Sequence, residues 1–349
     1  MAGKILTGRT LAAAIQPALR SSVFTMPGWL VWCGSIIHDD AGLYWLFFSC
    51  WPAGLGHQGW VTSSLIGCAS AASPLGPFTF QKFVLAGSGI AGRWDRDVTH
   101  NPVIVRDHGL YYLFYMGNYG DGTYWDHRNH QRIGVAVADH PLGPWKRNDR
   151  PLIDIDPGFC EDAGFREPIG TLMVSNPSVT QVSDGRWFMI YKAVGNGPLP
   201  KGGRVICGIA VANQPDGPYI KHPHPIMVNP ENDWSVEDPF IWCQDNQFYA
   251  LVKDFQGYFT GRGQSTIALF LSSDGLDWQP AEDCFVMTRE VRWEDGSCQP
   301  VTALERPQIY FEQGIPKVLA CAVAFDEARN RSANVQFPLR FPPAGSILP

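Results

Sequence analysis

The chain has 349 residues, enough for one large or two ordinary domains, with 45% hydrophobic and 13% aromatic residues against 17% charged ones. Together with 36 glycines and 28 prolines, that mix suits an all-β protein with many turns and an aromatic-lined pocket rather than a helical one. A net charge of −6 without a basic run argues against nucleic acid as a partner, and no apolar run reaches the length of a membrane span.

The opening "MAGKILTGRTLAAAIQPALRSS" carries Lys4, Arg9 and Arg20 and no acid. Its apolar stretch is short and broken by Pro17, a poor match to a secretory signal. We read residues 1–27 as a terminal segment packing on the body, with a mitochondrial-type presequence as the alternative, and 28–349 as a single domain. The nine cysteines lack CxxC or zinc-like spacing. Cys50, Cys68, Cys207 and Cys321 fall in apolar strand-like stretches and read as buried thiols, which fits a reducing, cytoplasmic setting.

From residue 33 onward a pattern recurs: "CGSIIHDDAGLYWLFFS", "HNPVIVRDHGLYYLFYMG" from 100, "SNPSVTQVSDGRWFMIYKA" from 175, "EDPFIWCQDNQFYALVKDF" from 237 and "ERPQIYFEQGIPKVLACAV" from 305. Each has a polar pair, usually a proline, a short apolar run, a polar turn and an aromatic-rich run. That is the pattern of a β-hairpin. After each of the first four comes a second hairpin signature, such as "IGCASAASPLGPF" from 66 and "IGVAVADHPLGPW" from 133. Two hairpins make four strands, and five such units predict a five-bladed β-propeller, with four-stranded antiparallel blades around a central channel.

In a propeller the first strand of each blade lines the channel. The residues at its entry should therefore ring a shared pocket. One expected ring is Gly34, Asn101, Asn176, Asp238 and Arg306; the other, one residue earlier, is Cys33, His100, Ser175, Glu237 and Glu305. Neighbouring strand residues point opposite ways, so both rings reach the pocket only if the backbone is irregular there. The following proline offers a reason for such irregularity. Unpaired carboxylates are too costly for a core, so acids at these positions point to a site. Further acids precede the strands: Asp95 and Asp97, Glu161, Asp162 and Glu167, Glu294 and Asp295. Tryptophans beside acids (Trp94–Asp95, Trp293–Glu294, and Trp234 just before Glu237) suit a sugar site, where a ring face stacks and acids take hydroxyls. Two carboxyl groups across such a pocket suggest glycoside hydrolysis. Asn, Asp and His in the ring also offer ligands to a structural calcium ion in the channel, although no motif demands one and no cofactor is required.

The strand-entry motifs, second strands such as "GLYYLFYMG" (109–117) and turns of the "SPLGPF" type resemble the five-bladed β-propeller glycoside hydrolases over about residues 28–340. These include families 43, 62 and 117, the family 32/68 fructosidases and the family 130 phosphorylases. The acidic triad that the resemblance to family 43 implies is not matched: Gly34 and Ser35, Asn101 and Ser175 stand at its places. "FREP" (165–168) is similar to an element of the fructosidases, and "VEDPFI" to the family 130 motif without its arginine. With no cluster of basic residues evident at the rings, phosphate as co-substrate is the lesser expectation.

The resemblance implies an exo-acting glycosidase that removes a terminal sugar, arabinofuranose-like for preference, from an oligosaccharide or glycan. Glu237 is expected as general acid, Glu305 or Asp97 as base or nucleophile, and Asp238 as the acid's modulator. Trp32, Ser35, Trp94, His100, Asn101, Glu167, Asn176 and Arg306 are expected to bind substrate, Trp32 or Trp94 by stacking. A non-catalytic sugar-binding propeller and a glycoside phosphorylase are the rivals, followed by a metal-dependent lyase using His100.

Overall fold

A computed structural model describes residues 5–155 and 171–341. Their strands form five four-stranded antiparallel sheets and one short two-stranded ribbon, Glu290–Arg292 with Cys298–Pro300. The inner strands are Trp29–His38, Val98–Asp107, Met173–Gln181, Val236–Gln244 and Ala303–Glu312, each followed by its hairpin partner. The five sheets are the blades of a propeller.

Alternation along the second strands shows why the blades stack. In Leu110–Asn118, Tyr112 and Phe114 pack against Trp187 and Met189 of blade three. Tyr111, Leu113 and Tyr115 turn the other way, onto Trp45 and Phe47 of blade one. Side chains at successive positions emerge on opposite faces, so a strand apolar at both parities is one buried between two neighbours. The contact between blades one and five is built differently. There Leu30 and Trp32 meet the small residues Ala303, Ala322 and Ala324.

The 1–27 boundary divides the last blade. Val23–Phe24 pairs with Ser332–Pro338 and supplies the outermost strand of blade five, so the ring is closed by a strand from the opposite end of the chain. The helix Gly8–Ala14 lies against the outer strand of blade four, where a Cβ on Gly8 would meet Asp283 O at 1.9 Å. Leu11 and Ala18 belong to the core shared by blades four and five. The turns before the outer strands place Gly76, Gly143 and Gly217 at φ of 85°, 79° and 88°, which explains the glycine repeated in "SPLGPF"-type turns.

Each inner strand breaks its ladder once. The register shifts between Trp32 and Ser35, His100 and Val103, Ser175 and Ser178, Glu237 and Phe240, and Glu305 and Gln308. Within each bulge one non-glycine residue is left-handed: Cys33 (φ 52°), Asn101 (54°), Asn176 (52°), Asp238 (57°) and Arg306 (55°). This is the irregularity that two rings require. It also corrects the expected alignment, because Cys33 and not Gly34 is the equivalent of Asn101. Gly34 stands at the proline's phase, and a Cβ there would meet Asn334 Oδ1 at 2.7 Å.

Candidate active site

The left-handed residues form a belt of side-chain hydrogen bonds about the axis. The Cys33 thiol donates to Asn101 Oδ1 (2.9 Å), Asn101 Nδ2 to Asn176 Oδ1 (2.5 Å) and Asn176 Nδ2 to Asp238 Oδ1 (2.8 Å). Arg306 Nη1 reaches the same Asp238 oxygen at 3.4 Å. Left-handed φ costs a non-glycine residue on the order of 1–3 kcal/mol, and these bonds between blades offset it. The belt does not suit calcium: its amide oxygens already accept hydrogen bonds and it includes the Arg306 cation. Among the described residues no three or more His, Cys, Asp or Glu side chains group as a metal site.

Above the belt stand Trp32, His100, Ser175, Glu237 and Glu305, and the two tiers floor a cavity of about 730 Å³. The strands opposite supply the feature the sequence reading missed. Lys192 pairs in register with Ser175, and Lys253 with Glu237, at the same phase of successive blades. Each reaches sideways to the next blade: Lys192 Nζ bonds Glu237 Oε1, and Lys253 Nζ bonds Glu305 Oε1 at 2.6 Å. Lys253 Nζ also lies 3.8 Å from Glu237 Oε2, so one ammonium bridges the two carboxylates. Arg329 approaches Glu305 Oε1 at 3.5 Å from the rim. With Arg128 and Arg306 in the lining, the cavity holds the basic cluster that the sequence did not disclose.

These charges set the protonation states. Burial alone would raise the pKa of Glu237, but Lys192 and Lys253 outweigh it and hold the carboxyl down at about 2. Glu305 is likewise lowered, its burial being overcome by Lys253 and Arg329. Asp238 moves the other way, pushed up to about 6 by burial and by the Glu237 charge, against the pull of Arg306. His100, stacked on Trp60 with its Nδ1 2.7 Å from Ser64 Oγ, is kept neutral by burial and by Arg306.

The walls come from insertions between strands. Trp60 and His57 rise from blade one, the helix Tyr124–Asn129 from blade two, and Trp234 from the segment before blade four; all line the cavity with Trp51 and Phe255. Of the expected residues, Trp32, His100, Asn101, Asn176, Glu237, Asp238, Glu305 and Arg306 come together here. Asp97 does not. It is gripped by Nε and Nη2 of Arg96, each at 2.7 Å, and accepts the Gly120 N–H, outside the cavity lining. Trp94 is buried against Tyr115, in contact range of Gly117 and Gly134, and is core rather than a stacking platform. Ser35 is buried below the belt, where its Oγ accepts Ile104 N–H and ties blade one to blade two. Trp293 is also buried, leaving Trp234 as the member of the tryptophan–acid set that faces the cavity. Glu161, Asp162, Glu167 and "FREP" lie outside the described residues.

No family model matches the sequence, and no curated protein does. Solved structures match over nearly the whole chain. BT0996, in its complex with RGII, is 13% identical, with a TM-score of 0.69 over 99% of this protein and 98% of that one. The family 117 glycoside hydrolase Zg3597 of the marine bacterium Zobellia galactanivorans is 17% identical, with a TM-score of 0.60 over 93% and 89%. An exo-1,5-alpha-L-arabinanase from a bovine ruminal metagenomic library is 13% identical, with a TM-score of 0.58 over 95% and 98%. The chain thus has the fold of the five-bladed propeller glycoside hydrolases. It is similar to them in architecture across nearly the full length of each.

Proposed function

We propose that the protein is a glycoside hydrolase acting on a terminal sugar of a glycan, with an arabinofuranose-like unit favoured, held in the axial cavity. The observation that carries this is the juxtaposition, on one floor under aromatic walls, of Glu237 and Glu305 joined by Lys253. The belt and the tier above it floor the cavity across the axis, an arrangement that fits a chain terminus and exo action. The sugar itself is favoured because the fold neighbours include arabinanases.

The electrostatics favour the opposite assignment of roles to the carboxyl pair. A general acid must carry a proton, whereas two ammonium groups hold Glu237 ionised. Glu237 therefore suits the base or nucleophile. Glu305 is lowered as well, by Lys253 and Arg329, and it suits the acid because a sugar hydroxyl that drew Lys253 off would let its pKa rise while Glu237 kept Lys192. Asp238 and the asparagines fix the strand ends on which both glutamates stand. His100 and Trp32 line the cavity and are placed to meet the sugar, one by hydrogen bonding through its other ring nitrogen and one by its ring.

A phosphorylase is the second reading, favoured by the basic cluster. Lys192, Lys253, Arg306 and Arg329 share the three carboxylates Glu237, Glu305 and Asp238, which neutralises most of their charge and leaves less of it for phosphate. Release of reducing sugar from a glycan panel, with and without phosphate, tests both. Hydrolysis without phosphate is expected, falling about 10²–10⁴-fold in Glu237→Gln. Wild-type protein that binds glycans but turns none over, or an unchanged rate in Glu237→Gln, would refute the proposal.

A further inference from the structure

Among the cations lining the axial cavity, Arg128 is set apart by its surroundings. It is 7% exposed, and among the described residues no carboxylate lies within ion-pair distance, whereas Lys192, Lys253, Arg306 and Arg329 each have one. Its Nη1 donates to Lys201 O at 2.9 Å and to Asn129 Oδ1 at 3.0 Å. Burying an unpaired charge costs several kcal/mol. A protein keeps such a group where a ligand completes it.

Position shows which part of a ligand that would be. Arg128 and Trp234 line the axial cavity and also a second cavity of about 430 Å³, bordered by Lys201, Arg204, Glu231 and Asp233. The two cavities are therefore contiguous, with Arg128 at the junction. Arg204 is paired with Asp233 at 3.3 Å, and the guanidinium of Arg128 lies 5.7 Å from the centroid of Trp125. Gln131, just past the same helix, also lines the axial cavity, and its Nε2 is buried without a partner among the described residues. Unmatched donors thus gather where a glycan would leave the axial cavity.

We propose that the second cavity is a subsite for an acidic sugar, and that Arg128 docks the carboxylate of the unit next to the one held at Glu237 and Glu305. The inference rests on the glycosidase reading and narrows its substrates to glycans with uronic acid neighbours. Arginine suits the task because its planar fork takes a carboxylate by two donors, where lysine offers a point charge.

The test uses the full chain, with uronic acid oligosaccharides and their carboxyl-reduced counterparts as probes in calorimetric titration. Wild type is expected to bind the acidic members at least about tenfold more tightly. Arg128→Gln should weaken that binding about 10–100-fold, as expected for a hydrogen bond between charged groups, with Arg128→Lys in between. A thermal melt of each variant separates lost docking from lost folding, and the wild-type comparison stands without either variant. Equal affinity for acidic and reduced members overturns the proposal, as does binding of inorganic phosphate with no binding of the acidic set. Hydrolysis of both sets at equal rates would sink the acidic subsite and leave the glycosidase. Arg128-dependent binding of acidic sugars without turnover would do the reverse.

Discussion

Replacing Lys253 with methionine keeps the side chain out to the ε carbon and removes the ammonium that bridges Glu305 and Glu237. Lys253 is 8% exposed, and its Nζ lies 2.6 Å from one carboxylate and 3.8 Å from the other. Glu305 would keep the rim residue Arg329 at 3.5 Å, and Glu237 would keep Lys192. Breaking a buried pair costs about 3–5 kcal/mol, because it leaves a charge without compensation. For a chain of 349 residues, an unfolding entropy of about 0.7 kcal/mol/K turns that into a fall in Tm of about 4–7 °C. The same substitution should raise the pKa of both carboxyls, moving the acidic limb of any pH–rate profile to higher pH. Calorimetric melts of Lys253→Met, Glu305→Gln and the double variant complete the assay. The double variant should be less destabilised than the two singles combined, by about 1–3 kcal/mol. Additivity within about 0.5 kcal/mol, or an unchanged Tm in Lys253→Met, would refute the bridging role.

The raised pKa of Asp238 makes a prediction about pH. At pH 4 and below this group is largely neutral folded and partly or wholly neutral unfolded; above that range the unfolded state ionises first, so the native state loses stability until the pH passes about 6. Between pH 4 and 7 the stability of Asp238→Asn relative to wild type should therefore shift in the variant's favour by up to about 3 kcal/mol. Denaturant midpoints at four pH values measure this, and a difference that stays flat would contradict it. Glu237, whose pKa is lowered, acts in the opposite sense and at more acid pH: its stabilisation is present above the ordinary glutamate range and is lost as pH falls toward about 2. Gly34→Ala should cost about 1–3 kcal/mol, since the new methyl would press on Asn334 Oδ1 at 2.7 Å and Leu46 Cδ1 at 3.3 Å. A melt unchanged by that substitution would show that Asn334 yields freely.

How far the sequence disclosed this arrangement depends on the scale of the repeat. Blade number and strand order were legible because a four-stranded blade repeats its hairpins and its glycine turns at one phase. The floor was legible for a related reason: a polar residue entering an apolar strand has few explanations. The first blade was misaligned by one residue because it lacks the proline that marks the others. Its bulge is fixed by Cys33 joining the belt and by the space that Asn334 leaves at Gly34. Asp97 and Trp94 misled because proximity to a strand entry in sequence says nothing of direction. Arg96 draws the one aside, and the glycines at 117 and 134 make room for the other in the core.

The lysines were harder to find, and the reason is geometrical. A lysine in "MIYKAV" or "LVKDF" is a local anomaly, yet its partner sits on the following blade, 45 residues away for Lys192 and 52 for Lys253. Neither strand nor hairpin periodicity connects the two positions; the angular step between blades does. Once that step is known, Lys at the second-strand phase of one blade and Glu at the entry phase of the next belong together. The same step turns attention to Arg128. Its insertion carries a cation to the cavity wall where, among the described residues, no acid lies within ion-pair distance, which is why its counterpart is sought in the substrate.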